Sequence, residues 1–285
     1  MSDKKSMREL VDSAKALTSV EKNAPRPSPG DEFYVPPVAS VSLPSRGLVY
    51  APESALFDTA VLEVRAMCAT DEDIMTSPGL LRRGKMLSAL MRACVTNRTI
   101  DADSMLIGDR NALMVAIRNS SWGPSYEADV RCPACGEEGR HDFDLSRLKL
   151  KMLDVTPDQG VGSNSFSFKL PVTGHTVRFR LVTAAMGQEL EQTLDALRKA
   201  HGPGAPEQNV TQALINQIID ISGVTQEQVA RFVRAMPVRD SRALRAYIES
   251  VTPGVDMEQS MECPSCGKRA DVEVPLTAEF FWPKA

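Results

Sequence analysis

Cys132-Pro133-Ala134-Cys135-Gly136 and Cys263-Pro264-Ser265-Cys266-Gly267 are two copies of one short pattern, and together they hold four of the chain's six cysteines. Their surroundings match as well. Tyr126, Ala128 and Val130 alternate into the first copy, and Phe143 and Leu145 lead away; Met257, Gln259 and Met261 precede the second, and Val272 and Val274 follow. Alternation of period two marks strands, so the reading is strand, knuckle, strand, twice. In a Cys-x-x-Cys-Gly turn the backbone amides point at the sulfurs, and the glycine takes a positive φ that a side chain resists. Two such turns face to face offer four thiolates at tetrahedral positions, the arrangement of a closed structural Zn²⁺ site. Cys132, Cys135, Cys263 and Cys266 are therefore the expected ligands of one structural zinc ion, with iron the other metal that four thiolates suit.

The two pairs are far apart in sequence. The 127 residues between Cys135 and Cys263 exceed the roughly 15–20 of a compact zinc ribbon. An insert explains this, provided its ends leave the ribbon side by side. A thiol–disulfide oxidoreductase uses one Cys-x-x-Cys at a helix start, and structural disulfides suit an oxidising compartment. A zinc deaminase needs a His-x-Glu upstream of its cysteines. Zinc is preferred over all three. Cys68 and Cys94 lie singly in apolar stretches and read as core thiols.

Outward from the knuckles, the pattern predicts an α+β chain. Residues 4–20 have helical spacing at Met7, Leu10, Val11, Ala14 and Leu17, followed by prolines at 25, 27, 29, 36 and 37, so 1–37 reads as a helix on a Pro-rich extended arm. Residues 38–125 read as an α+β region. Within it, Ser42–Tyr50 is extended with a turn at Gly47, Val61–Met67 is a strand, and Thr70-Asp71-Glu72-Asp73 starts a helix. Leu80, Leu87, Leu90, Met91 and Cys94 mark a helix of about four turns, and another runs from Asp109 to Trp122. Residues 126–150 form the first half of the ribbon, and 151–255 a hairpin plus mainly helical insert. The hairpin is Phe166–Leu170 against Val177–Leu181. Leu190, Leu194 and Leu197 share one helix face; Val210, Leu214, Ile218 and Ile221 share the next; Thr225 opens a capping box, and Asp240 caps a last helix. Residues 256–285 complete the ribbon and carry an aromatic tail.

Composition excludes several classes. The chain has 285 residues, 42% hydrophobic, 25% charged and 5% aromatic, with net charge -4. It is long enough for a real core, and its charge balance fits neither a disordered acidic chain nor a basic nucleic-acid coat. No apolar run reaches the roughly 20 residues of a bilayer span, and the N-terminus lacks the apolar core of a secretory signal. A soluble protein made inside the cell is expected, without membrane insertion. The three histidines, His141, His175 and His201, fall in a strand, a hairpin tip and a Gly/Pro loop, and no phosphate loop, nucleophile elbow or His-Glu-x-x-His is present. No catalytic residue or small-molecule substrate is assigned.

Zinc ribbons often bind nucleic acid, so charge decides that alternative. Residues 256–285 carry three basic and six acidic groups, net -3; residues 131–151 carry five and four, net +1. Such a ribbon repels phosphate. The one basic concentration is Arg231, Arg234, Arg239, Arg242 and Arg245, read first as a solvated face paired with Glu227, Asp240 and Glu249, and second as a phosphate or partner site. Phe280-Phe281-Trp282 near the end read as core-packing rings, or as an anchor in a partner's groove.

The order of several motifs resembles a known family. Leu43-Pro-Ser-Arg-Gly47, the strand Val61–Met67 leading to Asp71-Glu-Asp-Ile74, Leu80-Leu-Arg-Arg-Gly84 and Gly108-Asp-Arg-Asn-Ala-Leu113 are followed by both knuckles, Asp240-Ser-Arg-Ala-Leu-Arg245 and Phe280-Phe-Trp-Pro283. This set is similar to the baseplate proteins of contractile-tailed, T-even-like bacteriophages, of the baseplate hub type, and the likeness covers nearly everything after about residue 40. It implies a non-enzymatic virion protein of the tail baseplate, made in the host cytoplasm and contacting other tail proteins, or a hub assembly chaperone absent from the mature particle. An intracellular zinc-ribbon nucleic-acid-binding protein is the alternative from another class.

Overall fold

In the computed structural model, which describes residues 38–201, 208–275 and 280–281, the first described elements are two short antiparallel strands, β1 (Val38–Ser42) and β2 (Val61–Arg65). Helices follow: α1 (Ala69–Thr76), α2 (Pro78–Arg82), α3 (Met86–Cys94) and α4 (Ile107–Trp122). The first cysteine hairpin is β3 (Ser125–Arg131) with β4 (Glu138–Asp144), and β5 (Lys149–Lys151) comes after it. Then come β6 (Phe166–Lys169), β7 (Thr176–Phe179), α5 (Ala184–His201), α6 (Asn209–Gln217) and β8 (Ile218–Ile221). The chain continues through α7 (Val229–Ala235), α8 (Val238–Val251) and β9 (Gly254–Asp256) to the second cysteine hairpin, β10 (Glu258–Glu262) with β11 (Arg269–Glu273). Small antiparallel sheets and eight α-helices make this an α+β fold among the described residues. The expected N-terminal helix and Pro-rich arm, residues 1–37, lie outside them.

The segment between the hairpins leaves and returns through one paired stem. Lys149, Leu150 and Lys151 of β5 stand opposite Asp256, Val255 and Gly254 of β9, so the two ends do lie side by side. Within that segment β6, β7 and β8 form a three-stranded sheet and the helices pack around it. Its core is continuous with that of the first 90 described residues: Ile107 N–H donates to the Val182 carbonyl, and Ala184 N–H to that of Met105.

Buried carboxylates tie distant segments together. Asp109, fully buried in α4, accepts from Ser45 N–H at 2.8 Å, from Ser45 Oγ at 2.5 Å and from Tyr50 Oη at 2.6 Å. Tyr50 Oη in turn accepts from Leu106 N–H at 2.9 Å. Desolvation pushes the Asp109 carboxyl above the ordinary carboxylate range, against the opposing pull of Ser45 and Tyr50. Asp71 takes a bidentate contact from Arg65 at 2.6 and 2.9 Å. Gly108 carries α4 against the β9 strand so closely that a Cβ there would lie 2.0 Å from the Pro253 carbonyl oxygen.

Several local expectations are corrected. Helix α1 begins two residues early: Cys68 is its N-cap, and the side chain of Asp71, the third helical residue, accepts from Cys68 N–H at 2.8 Å. The single helix expected through Leu80–Cys94 is two, α2 and α3, with the chain turning at Arg83–Gly84. Ile218 and Ile221 belong to β8, because pairing with β7 ends α6 at Gln217. Pro237, not Asp240, is the N-cap of α8. Asp240 turns inward and accepts from Val172 N–H, Thr173 N–H and Thr173 Oγ1, holding down the β6–β7 turn.

Candidate metal centre

The two hairpins reproduce one turn twice. In the first, Cys132 N–H donates to the Glu137 carbonyl and Gly136 N–H returns to the Cys132 carbonyl, both at 2.8 Å. In the second, Cys263 N–H donates to Lys268 at 3.0 Å and Gly267 N–H to Cys263 at 2.8 Å. Gly136 and Gly267 have φ of 77° and 67°, the left-handed region in which a Cβ is strained. The glycine after each second cysteine is thus required by the turn that aims the sulfurs.

All four sulfurs lie within 4.8 Å of one another. Cys132 Sγ is 3.9 Å from Cys266 Sγ, and Cys135 Sγ is 3.7 Å from Cys263 Sγ. Neither pair is at bonding distance. A tetrahedral Zn²⁺ with bonds near 2.3 Å separates its sulfurs by about 3.8 Å, so the cross-hairpin spacings suit a single metal ion held by all four. The cluster contains no histidine or carboxylate. Cys132 and Cys263 are buried, while Cys135 is exposed, so the site sits at the surface with one side shielded.

The environment of the thiols is uneven. The Cys266 amide, with the Ser265 amide and hydrogen bonds from Cys132 and Cys135, outweighs desolvation and brings Cys263 down to about 6. At Cys135 the Glu137 amide also favours the thiolate, but desolvation and hydrogen bonds involving the other three thiols push it up to about 12. Cys263 is therefore held toward its thiolate, and a metal binding at neutral pH must displace the proton of Cys135.

The remaining sequence candidates are placed as follows. Cys94 is fully buried, and burial pushes its thiol up to about 12, as a core thiol should behave. Cys68 is not a core thiol: as the N-cap of α1 it is exposed, its sulfur 3.3 Å from Asp71 Oδ2. Phe280 and Phe281 are 1% and 7% exposed, with Phe280 edge-on to Tyr126 at 5.2 Å, so these two rings pack into the core and offer no exposed anchor. Trp282 lies outside the described residues. Arg231 and Arg234 on α7 and Arg239, Arg242 and Arg245 on α8 are exposed. None makes an ion pair among the described residues; the expected partner Asp240 is buried beneath the β6–β7 turn. His141 lies in β4 and His175 Nδ1 contacts the Ser222 carbonyl at 2.7 Å, and neither belongs to the sulfur cluster.

Sequence reasoning missed the joint of Ser45, Tyr50 and Asp109. The only signal was that Ser45 and Asp109 each sit inside one of the motifs quoted above, in Leu43–Gly47 and Gly108–Leu113. No helix of the described residues is long and apolar enough to cross a membrane. No curated protein and no solved structure matches the chain. The family model described as T4 bacteriophage base plate protein matches residues 61–282, well over half of the sequence and both cysteine hairpins, and the chain therefore belongs to that family.

Proposed function

We propose that this chain is a non-enzymatic structural part of the contractile tail baseplate, built into its hub or wedge region as a rigid adaptor between other baseplate proteins. The family match across residues 61–282 carries this reading. One zinc ion held by Cys132, Cys135, Cys263 and Cys266 completes a split zinc ribbon and fixes its halves to each other. The sulfur spacings of 3.7 and 3.9 Å support one tetrahedrally held metal ion, which we read as zinc. The mainly helical segment 151–255 shares the core of the N-terminal region and offers a second contact face beside the ribbon.

Its contact face is the arginine set of α7 and α8. Arg231, Arg234 and Arg242, with Arg239 and Arg245, present positive charge that no acidic side chain of the described residues offsets at ion-pair distance, and Val238 beside them is 70% exposed. An acidic surface on a neighbouring tail protein, with an apolar spot to cover Val238, complements this face.

Quantitative mass spectrometry of purified particles tests the reading. A fixed, small copy number per tail is expected. Presence in infected cells with absence from mature particles would make the chain an assembly chaperone instead, and absence from both would end the baseplate reading. Metal analysis of the purified chain is expected to return zinc. Four free thiols in a folded, metal-free protein would remove zinc from the account.

A further inference from the structure

The backbone alternation in the cysteine hairpins leaves two open edges lining one groove. In β3 and β4, Cys132 N–H bonds the Glu137 carbonyl and Leu145 N–H bonds that of Pro124. Antiparallel pairing alternates, so even-numbered residues of β3 spend their backbone groups on β4. Ser125, Glu127, Asp129 and Arg131 turn theirs outward. In β10 and β11 the bonds from Cys263 N–H to Lys268 and from Val274 N–H to Met257 fix the same alternation, with Arg269, Asp271 and Glu273 outward. Asp129 and Arg131 from β3 and Asp271 and Glu273 from β11 line a groove of about 350 Å³ between the hairpins.

The groove has an excess of negative charge, three carboxylates against the single guanidinium of Arg131. Arg131 Nε donates to the Gly136 carbonyl of its own knuckle at 2.8 Å. Asp129, Asp271 and Glu273 have no ion-pair partner among the described residues. An unpaired strand edge is a template for another strand, and three unneutralised carboxylates beside it favour cationic side chains.

We propose that this groove receives an extended, lysine- or arginine-bearing segment of another tail protein, which adds as a strand to the open edge of β3. The carboxylates of β11 form the opposite wall and select for basic side chains. The origin of the partner rests on the baseplate reading, whereas the groove does not. The chain's own residues 1–37 are the weaker occupant, since their six basic and six acidic side chains cancel overall and prolines at 25, 27, 29, 36 and 37 deprive residues 25–37 of the N–H groups that strand pairing needs.

The test probes the full-length chain with overlapping synthetic peptides covering the tail proteins of the same phage, and with a peptide of residues 1–37. Binding is expected from extended peptides with several Lys or Arg, weakening as salt rises, with slowed hydrogen exchange at the Asp129 and Arg131 amides. Asp129→Pro removes an outward N–H without touching the β4 ladder and is expected to weaken binding about tenfold. The double variant Asp271→Asn, Glu273→Gln leaves every backbone group in place and is expected to erase the preference for basic peptides. It decides the matter if Asp129→Pro disturbs the hairpin. No binding by any tail-protein peptide, binding that survives both variants, or protection confined to α7 and α8 would overturn the proposal. Binding by residues 1–37 alone would do the same and make the groove an intramolecular dock. Particle composition is measured separately, so loss of the groove and loss of the baseplate reading give different results.

Discussion

The two cysteine hairpins share a turn but not a foundation. The first buries Tyr126, Ala128 and Val130 from β3 and Phe143 from β4. It is also roped to α4: Arg118, 3% exposed, donates to the Gly123 and Ser125 carbonyls and lies over the Tyr126 ring at 6.0 Å. The second buries only Met261 within its strands, and β11 has no fully buried residue. It leans on the first, through Gln259 Nε2 to the Asp144 carbonyl at 2.9 Å and Tyr126 Oη to the Pro275 carbonyl at 2.8 Å. An apolar core can hold the first hairpin without metal. On the metal reading proposed above, sulfur ligation supplies much of what holds the second.

The sharpest way to break this comparison is to remove one ligand. Cys266→Ser should abolish zinc uptake and loosen β10–β11 by several kcal/mol, part of the roughly 10–16 kcal/mol that zinc contributes in isolated finger peptides. Hydrogen exchange should then quicken across β10 and β11 while Tyr126, Ala128 and Val130 keep most of their protection. Equal loss in both hairpins would show that the core does not support the first one independently. Arg118→Ala tests the other side. It strips a buried donor from two carbonyls and should cost about 2–4 kcal/mol in denaturant unfolding, with zinc stoichiometry unchanged.

Acid should separate the hairpins in the same order. Thiolates bind the metal and protons compete for them, so affinity falls as pH falls. With Cys263 brought down to about 6 and Cys135 pushed up to about 12 in the metal-free site, uptake at neutral pH must expel protons, Cys135's among them. Calorimetry in buffers of different ionisation enthalpy should register that release. Acidification should free the metal, and β10–β11 should lose protection before β3–β4. Metal binding without proton release would contradict the four-thiolate site.

Legibility in the sequence follows the range of the forces involved. The knuckles are readable because their chemistry is local: spacing, a turn and a glycine at positive φ suffice, and alternation flanks them. The joints are not. Asp109 and Asp240 stand near helix starts, where an acid usually caps, but each turns inward to a segment 64 and 68 residues away. Nothing nearby marks that choice. Leu214, Ile218 and Ile221 have helical spacing, and only their position beside β7 makes the last two a strand. Cys68 sits among apolar neighbours, yet Asp71 three residues on makes it a cap. The α+β class and the cysteine cluster were therefore within reach of the sequence, while the contacts that set one segment against another were not.

The smallest expected effect is the most discriminating. Tyr126→Phe deletes the hydroxyl that reaches Pro275 and leaves the ring against Phe280 at 5.2 Å. In the zinc-loaded protein, where the metal already fixes the second hairpin, the change should cost about 1 kcal/mol or less. In the chelated protein the same hydroxyl is one of the few ties left between the hairpins, so the cost should rise. Measuring both, with Cys266→Ser as the third corner of the cycle, gives the coupling between metal and hydroxyl directly. A coupling near zero would mean that the second hairpin is held by contacts independent of the metal, and the asymmetry between the two hairpins would then lie in their burial alone.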